Sequence, residues 1–245
     1  MRGADLIGAV GATYEPRLAR VAAAIADPTR SRMLACLLGG RHAPAGELAR
    51  VPSVTPSTAS GHLAILLDAG LVIDERRGRH RWFALADAEV AHALEALALV
   101  AERGGHERRW DAPGRRGLRR ARCCYRHLAG ELGVSLFDAL VREGRLEAAV
   151  DGYALTDAGR SWLCGFGMTP PDPVRGRRFA YRCMDWSERR DHLAGTLATA
   201  LLEHFVAMAW LVPVPSGPGE PGVTRALRLT PVGEQHLLPR LQLRR

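Results

Sequence analysis

The sequence predicts a mainly α protein of the α+β class, its helices separated by small β-hairpins. Two observations lead there: apolar residues recur at helical spacing along most of the chain, and short strand-forming runs flank Gly-bearing turns. A third extends the pattern, since the C-terminal half carries the same apolar signature twice. At 245 residues the chain can hold two domains with separate cores. Its 47% hydrophobic content argues against wholesale disorder.

The N-terminal elements follow in order. Tyr14 to Ala26 is Ala-rich with an apolar stripe, a first helix. Asp27-Pro28-Thr29-Arg30 supplies a cap followed by Pro at the first helical position, and Met33, Leu34, Leu37 and Leu38 keep helical spacing up to Gly39-Gly40. Glu47-Leu48-Ala49 marks a short third helix. Thr55 caps a fourth, opened by Pro56 and stopped at Gly70. Its inner positions are Ala59, Leu63 and Leu66; Ser57, Thr58, Gly61 and His62 face outward, with Ser60 at the margin. A surface so short of charge suits a major groove, where hydroxyls and an imidazole reach bases and phosphates. Leu71-Val72-Ile73 and Arg81-Trp82-Phe83-Ala84-Leu85 then pair about the basic turn Arg76-Arg77-Gly78-Arg79. Together these elements spell a winged helix-turn-helix, its wing able to straddle a DNA backbone or enter the minor groove. The candidate DNA contacts are Thr55, Ser57, Thr58, Ser60, His62, Arg77, Arg79 and Arg81. The net charge of +8 is consistent with a polyanionic partner, and every basic residue is Arg, whose fork matches phosphate oxygens.

Asp27-Pro28-Thr29-Arg30, Glu47-Leu48-Ala49, Ser57-Thr58-Ala59-Ser60-Gly61-His62-Leu63, Ala69-Gly70-Leu71-Val72 and Gly78-Arg79-His80-Arg81-Trp82-Phe83 resemble the ArsR family of winged-helix regulators. The resemblance covers Leu18 to Arg103. It implies a homodimeric repressor on a palindromic double-stranded operator, with the helix from Pro56 to Ala69 as reader. One departure is Pro52-Ser53, where the family usually has Gly in the turn before the reader. The family's metal sites do not carry over. Ala45 to Arg50 has no Cys, and Asp87, Glu89, His92, Glu95 and Glu102 stand at unsuitable spacings on the dimerisation helix. That helix reads instead as an Ala91, Leu94, Leu97, Ala98 dimer stripe with a solvated flank.

Domain organisation follows. Residues 1–103 form the winged-helix and dimerisation domain, 104–117 a basic linker, and 118–245 a duplicated effector domain with repeats at about 118–167 and 183–242. Glu102 to Arg122 carries eight Arg against three acids, enough to add phosphate contacts. In the duplicated half, His127-Leu128-Ala129-Gly130-x-Leu132 recurs as His192-Leu193-Ala194-Gly195-x-Leu197, and Leu155-Thr156-x-x-Gly159 as Leu229-Thr230-x-x-Gly233. Each repeat reads as a striped helix, a hairpin and a second helix, a winged-helix-like unit without a reading face. A pocket between such units is the expected effector site.

Five Cys without a CxxC pair argue against a disulfide framework and a zinc knuckle. Cys36 reads as a core thiol. Cys124 falls on the stripe of Leu128, and Cys123 shares a helical face with His127. Cys183 precedes a capping-box pattern, Asp185-Trp186-Ser187-Glu188. One reading joins Cys124, His127, Cys183 and His192 into a sensor site for a soft metal or metalloid, with none required for the fold. Another places an organic effector among Trp162, Phe166, Trp186, Phe205 and Trp210. A thiol-dependent enzyme on a DNA tether, with Cys124 and a His as dyad, is the rival of a different class; no phosphate loop, nucleophile elbow or carboxylate pair supports it. No window spans a membrane, and Leu193 to Val214 reads as a buried amphipathic helix. No signal pattern opens the chain, so a cytoplasmic, nucleoid-associated protein is expected.

Overall fold

The computed structural model describes residues 17–101, 113–215 and 223–241. Two compact units emerge, one within Met1–Val90 and the other within Ala91–Pro215 and Val223–Arg245. Residues 14–16 of the expected first helix, Glu102 and Arg103 at the end of the expected first domain, and 104–112 of the expected linker lie outside the described residues.

In the first unit, residues 17–26 (α1) are helical, followed by α2 (Pro28–Leu37), β1 (Ala43–Pro44), α3 (Ala45–Arg50) and α4 (Pro56–Asp68). Asp27 caps α2 by accepting the Arg30 N–H at 2.9 Å, and Thr55 caps α4 by accepting that of Thr58 at 3.2 Å. Met33, Leu34, Leu37, Leu48, Ala59, Leu63 and Leu66 form the core between these helices. The turn between α3 and α4 puts Ser53 at φ 59°, so a residue with a Cβ occupies a left-handed corner. Such a corner costs a non-Gly residue about 1–2 kcal/mol. The wing is β2 (Val72–Arg77) paired with β3 (His80–Leu85), and β1 completes the sheet in the order β1-β3-β2. Gly78 at φ 62° makes the first corner of its two-residue turn.

Helix α5 (Ala88–Ala101) straddles the division, because residues from Ala91 onward pack with the second unit. The sequence predicts a first domain ending at residue 103 and places Glu95 on a solvated flank. Glu95 is instead 2% exposed, held by Arg225 and, at 3.7 Å, by Arg122. Both partners lie far along the chain, so nothing local announced them. Arg122, which falls in the stretch expected to add phosphate contacts, is fully buried. Pro113–Arg120 (α6) is helical, not linker, and its Arg119 is paired with Glu188 at 3.0 Å.

Two repeats follow. The first runs β4 (Arg122–Cys124), β5 (His127–Ala129), α7 (Glu131–Arg142), β6 (Leu146–Ala149), β7 (Gly152–Leu155), α8 (Asp157–Cys164). The second runs β8 (Tyr181–Met184), β9 (Asp191–Ala194), α9 (Thr196–Ala207), β10 (Leu211–Pro215), β11 (Val223–Leu229), α10 (Pro231–Leu241). Each is hairpin–helix–hairpin–helix, so the expected helix–hairpin–helix is present with an additional hairpin in front. The striped helix starts at Glu131, after the hairpin turn at Tyr125 (φ 42°) and Arg126 (φ 76°). Cys123, Cys124, His127 and Leu128 are therefore strand residues. Likewise Leu193 and Ala194 belong to β9, and the helix within the apolar run is only Thr196–Ala207.

The recurring Gly residues have a common cause. Gly130 (φ 82°) and Gly195 (φ 101°) end the hairpins, where a Cβ would stand 2.4 Å from the carbonyl oxygens of Arg119 and Phe179 respectively. Thr156 and Thr230 cap the last helices by accepting the N–H groups of Gly159 and Gly233, each at 3.0 Å. The repeats also exchange backbone bonds reciprocally: Leu227 N–H donates to Ala121 and Tyr153 N–H to Ala180, both at 2.8 Å. The first of these continues into the β11–β4 pairing of a four-stranded sheet, β10-β11-β4-β5. The core includes Leu132, Leu136, Leu140, Leu197, Leu201 and Phe205. Among the described residues, no helix is long and apolar enough to cross a membrane.

Candidate functional site

Two constellations carry chemistry, one in each unit. In the first, α4 exposes Ser57, Thr58, Ser60, Gly61, Ala64 and Ile65. The hydroxyls are pre-arranged: Thr55 Oγ1 lies 3.0 Å from Ser57 Oγ and 2.9 Å from Thr58 Oγ1, while Ser60 Oγ donates to the Pro56 carbonyl at 2.9 Å. His62 does not stand free on this face. It is half-buried, with Nδ1 3.6 Å from Asp27 and 3.5 Å from Arg30, which anchors α4 to the cap of α2. On the wing, Arg77 pairs with Glu75 and Arg81 with Asp74, both at 2.8 Å. Exposed Arg79 at the tip has no ion-pair partner among the described residues, so its guanidinium is available to a phosphate.

In the second unit, Cys124, His127, Cys183 and His192 meet. One ligand atom from each lies within 4.8 Å of all the others, and all four residues are buried. Strand register explains the meeting. Cys124 is the cross-strand partner of His127 on β4–β5, and Cys183 that of His192 on β8–β9. The first pair is three positions apart and the second nine, because only the connection between the strands differs in length. The imidazoles face each other with Nε2 atoms 3.0 Å apart. Ala129, Ala194 and Tyr181 pack around the two thiols.

A charged network fixes one side of the cluster. Asp185 Oδ2 lies 3.2 Å from His192 Nδ1 and accepts the Gly130 N–H at 2.6 Å. Oδ1 accepts from the Ser187 hydroxyl at 2.7 Å and meets Arg122 Nη2 at 2.9 Å. The expected capping pattern thus exists as a turn, with Ser187 and Glu188 N–H groups on Asp185, but no helix follows it. Trp186 lies beneath the Arg122 guanidinium, 4.6 Å from its carbon. It is therefore apart from Phe166, Phe205 and Trp210, which pack ring against ring in the core.

Burial alone would raise the Asp185 pKa; His192 and Arg122 outweigh it and hold the carboxyl well below the usual range. Burial likewise opposes charge on His192, but Asp185 and Cys124 lift it to about 9. The bond to Cys183 and then burial push the Cys124 thiol up to about 12. That is the reverse of an activated thiolate nucleophile. Cys123 points to the other side of its hairpin, packs against the main core and is not paired with His127. Cys36 accepts a bond from Arg41 at 2.9 Å, and Cys164 is exposed. Sequence reasoning missed Glu95, Asp185, Arg122 and Arg225; the one local signal was Asp185, two residues after Cys183.

Residues 25–75 match a family model described as a helix-turn-helix domain. The chain is 37% identical over 227 residues to the HTH-type transcriptional regulator YdfF of Bacillus subtilis, covering 91% of this chain and 97% of that one. The match therefore spans both units. A shorter similarity, 45% over 86 residues, joins it to the HTH-type transcriptional regulator CmtR of Mycobacterium tuberculosis, covering 35% of this chain and 72% of CmtR. Among solved structures, the homodimeric winged helix-turn-helix domain of Mb0332 from Mycobacterium bovis is 28% identical, with a TM-score of 0.35, over 44% of this chain and 99% of that one.

Proposed function

We propose that this chain, which belongs to the HTH-type transcriptional regulators, acts as an ArsR-like homodimeric repressor on a palindromic operator, released by an effector bound in the C-terminal unit. The observation that carries the DNA half is the exposed, hydroxyl-bearing face of α4 beside a wing tip with an unpaired arginine. Ser57 and Thr58 read base edges, Thr55 and Ser60 hold that face in shape, and Arg79 takes backbone phosphate. Arg77 and Arg81 contribute after exchanging their carboxylate partners for phosphate. Leu97 and Val100, 49% and 54% exposed on α5, support a dimer that covers them. A twofold dimer calls for a palindromic operator.

The test is footprinting of the purified full chain on the DNA upstream of its own gene, in competition with bulk DNA. A bounded, symmetric footprint that survives the competitor is expected. Uniform protection that the competitor removes would refute sequence-specific reading.

A further inference from the structure

We propose that Cys124, His127, Cys183 and His192 form a closed tetrahedral site for a zinc-class divalent cation, and that this cation is the effector of the C-terminal unit. As an account of the effector this rests on the regulatory reading above; as a metal site it stands on the geometry alone.

Each hairpin presents one thiol and one imidazole as a cross-strand pair, and the two hairpins bring the pairs face to face. In a tetrahedral zinc site, bond lengths of about 2.0–2.3 Å put neighbouring ligand atoms ~3.3–3.8 Å apart. Four atoms already within 4.8 Å of one another reach that arrangement by side-chain adjustment. The orientation of His192 also fits. Its Nδ1 is engaged by Asp185, which leaves Nε2 directed at His127 Nε2 and the centre of the cluster. A carboxylate behind a ligating imidazole is the arrangement that fixes tautomer and ring angle at metal centres. Asp185 is itself held by Arg122, Ser187 and Gly130, so the support is built in before any ion arrives.

Charge selects the ion. Two thiolates and two neutral imidazoles carry −2, which a divalent cation cancels. Around them Glu95 and Asp185 are balanced by Arg122 and Arg225. A buried centre tolerates that neutral sum, whereas a monovalent soft ion would leave an uncompensated negative charge in it. A trivalent metalloid calls for three thiolates, and this cluster has two. Mixed sulfur and nitrogen donors select zinc or cadmium over magnesium or calcium. On binding, the thiol protons and any proton on the imidazoles leave to solvent while four metal–ligand bonds form. Cys183 also lines a 260 Å³ cavity with His92, Glu95, Tyr181 and Arg178. Ligands from both repeats make the ion a clasp between their hairpins.

The experiment uses the reduced, metal-stripped full chain, titrated with Co2+ alone and, separately, Zn2+ alone. The expected result is one equivalent per chain, the visible bands of tetrahedral Co2+, and a thiolate-to-metal charge-transfer band. Cys124→Ser and Cys183→Ser should lose the bound equivalent, while Cys123→Ser keeps it. His127→Cys exchanges an imidazole ligand for a third thiolate, so the ion it takes up should show a stronger charge-transfer band. Absence of stoichiometric uptake by the reduced native chain, or an unchanged spectrum in both Cys124→Ser and His127→Cys, overturns the site. Footprints on the same samples separate the two claims. A chain that footprints but takes up no metal overturns this inference alone; one that takes up metal but never footprints overturns the DNA reading alone.

Discussion

Arg122→Met removes the cation from the buried network while keeping most of the side chain's volume. The magnitude follows from what is left behind. Arg122 Nη2 lies 2.9 Å from Asp185 and 3.7 Å from Glu95, and Nη1 donates to the Ser187 hydroxyl at 3.0 Å and the Leu118 carbonyl at 3.4 Å. Both carboxylates are at most 2% exposed. Removing one partner of such a pair costs about 3–5 kcal/mol, since a charge stays buried without compensation. Arg225 still serves Glu95, and Asp185 keeps the Gly130, Ser187 and Glu188 donors, so the loss should fall near the bottom of that range, about 3 kcal/mol. Urea unfolding followed by tryptophan fluorescence measures it through the transition of the C-terminal unit, with the slope unchanged. Asp185→Asn should cost less in the Arg122→Met background than in the native chain, with a coupling of about 1–3 kcal/mol. A loss under ~1 kcal/mol with no coupling would refute a buried, mutually dependent network.

Other expectations are simpler. Ser53→Gly should stabilise the first unit by about 0.5–1 kcal/mol, because relief of the left-handed corner exceeds the added freedom of the unfolded chain; thermal melting reads this, and a lower melting temperature would contradict it. Gly195→Ala places a Cβ 2.4 Å from the Phe179 carbonyl at φ 101° and should destabilise the second unit by more than ~2 kcal/mol. Equal stability in urea would show that this close approach within the second repeat is not maintained in solution. Arg79→Ala should weaken binding to all DNA alike and lower the salt slope by about one, whereas Thr58→Ala should chiefly relax specificity. Parallel losses on every sequence would contradict the division of labour.

The winged helix was legible because its signals are local. Asp27-Pro28 and Thr55-Pro56 announce helix starts, and Gly78 announces the turn of the wing. The duplication was legible through Gly130, Gly195, Gly159 and Gly233, which recur because a Cβ at any of them would meet a neighbouring carbonyl. The leading hairpins were not legible. Strands of three residues such as Arg122–Cys124 carry too little alternation, and Leu128 continues the four-residue spacing of Leu132, Leu136 and Leu140 into a false extension of α7. The four cluster residues could be grouped from their types and the repeat, yet the equivalence of Cys124 and Cys183 was hidden by unequal turns. Register, not spacing, relates them. Glu95 resembled a solvated flank because its arginine partners come from α6–β4 and β11 sequence far away. His62 resembled a reader because periodicity cannot distinguish an outward face from one drawn toward a neighbouring helix cap.

The account's central claim is that a site in the duplicated unit controls the winged helix. It is tested most directly by measuring operator affinity of one preparation, stripped of metal and then loaded with one equivalent of Zn2+, at fixed salt and pH. A coupling of about 1–3 kcal/mol is typical of such control, so the affinity should fall by about 5–150-fold on loading and recover when the metal is chelated. Identical affinity in the stripped and loaded states would contradict it.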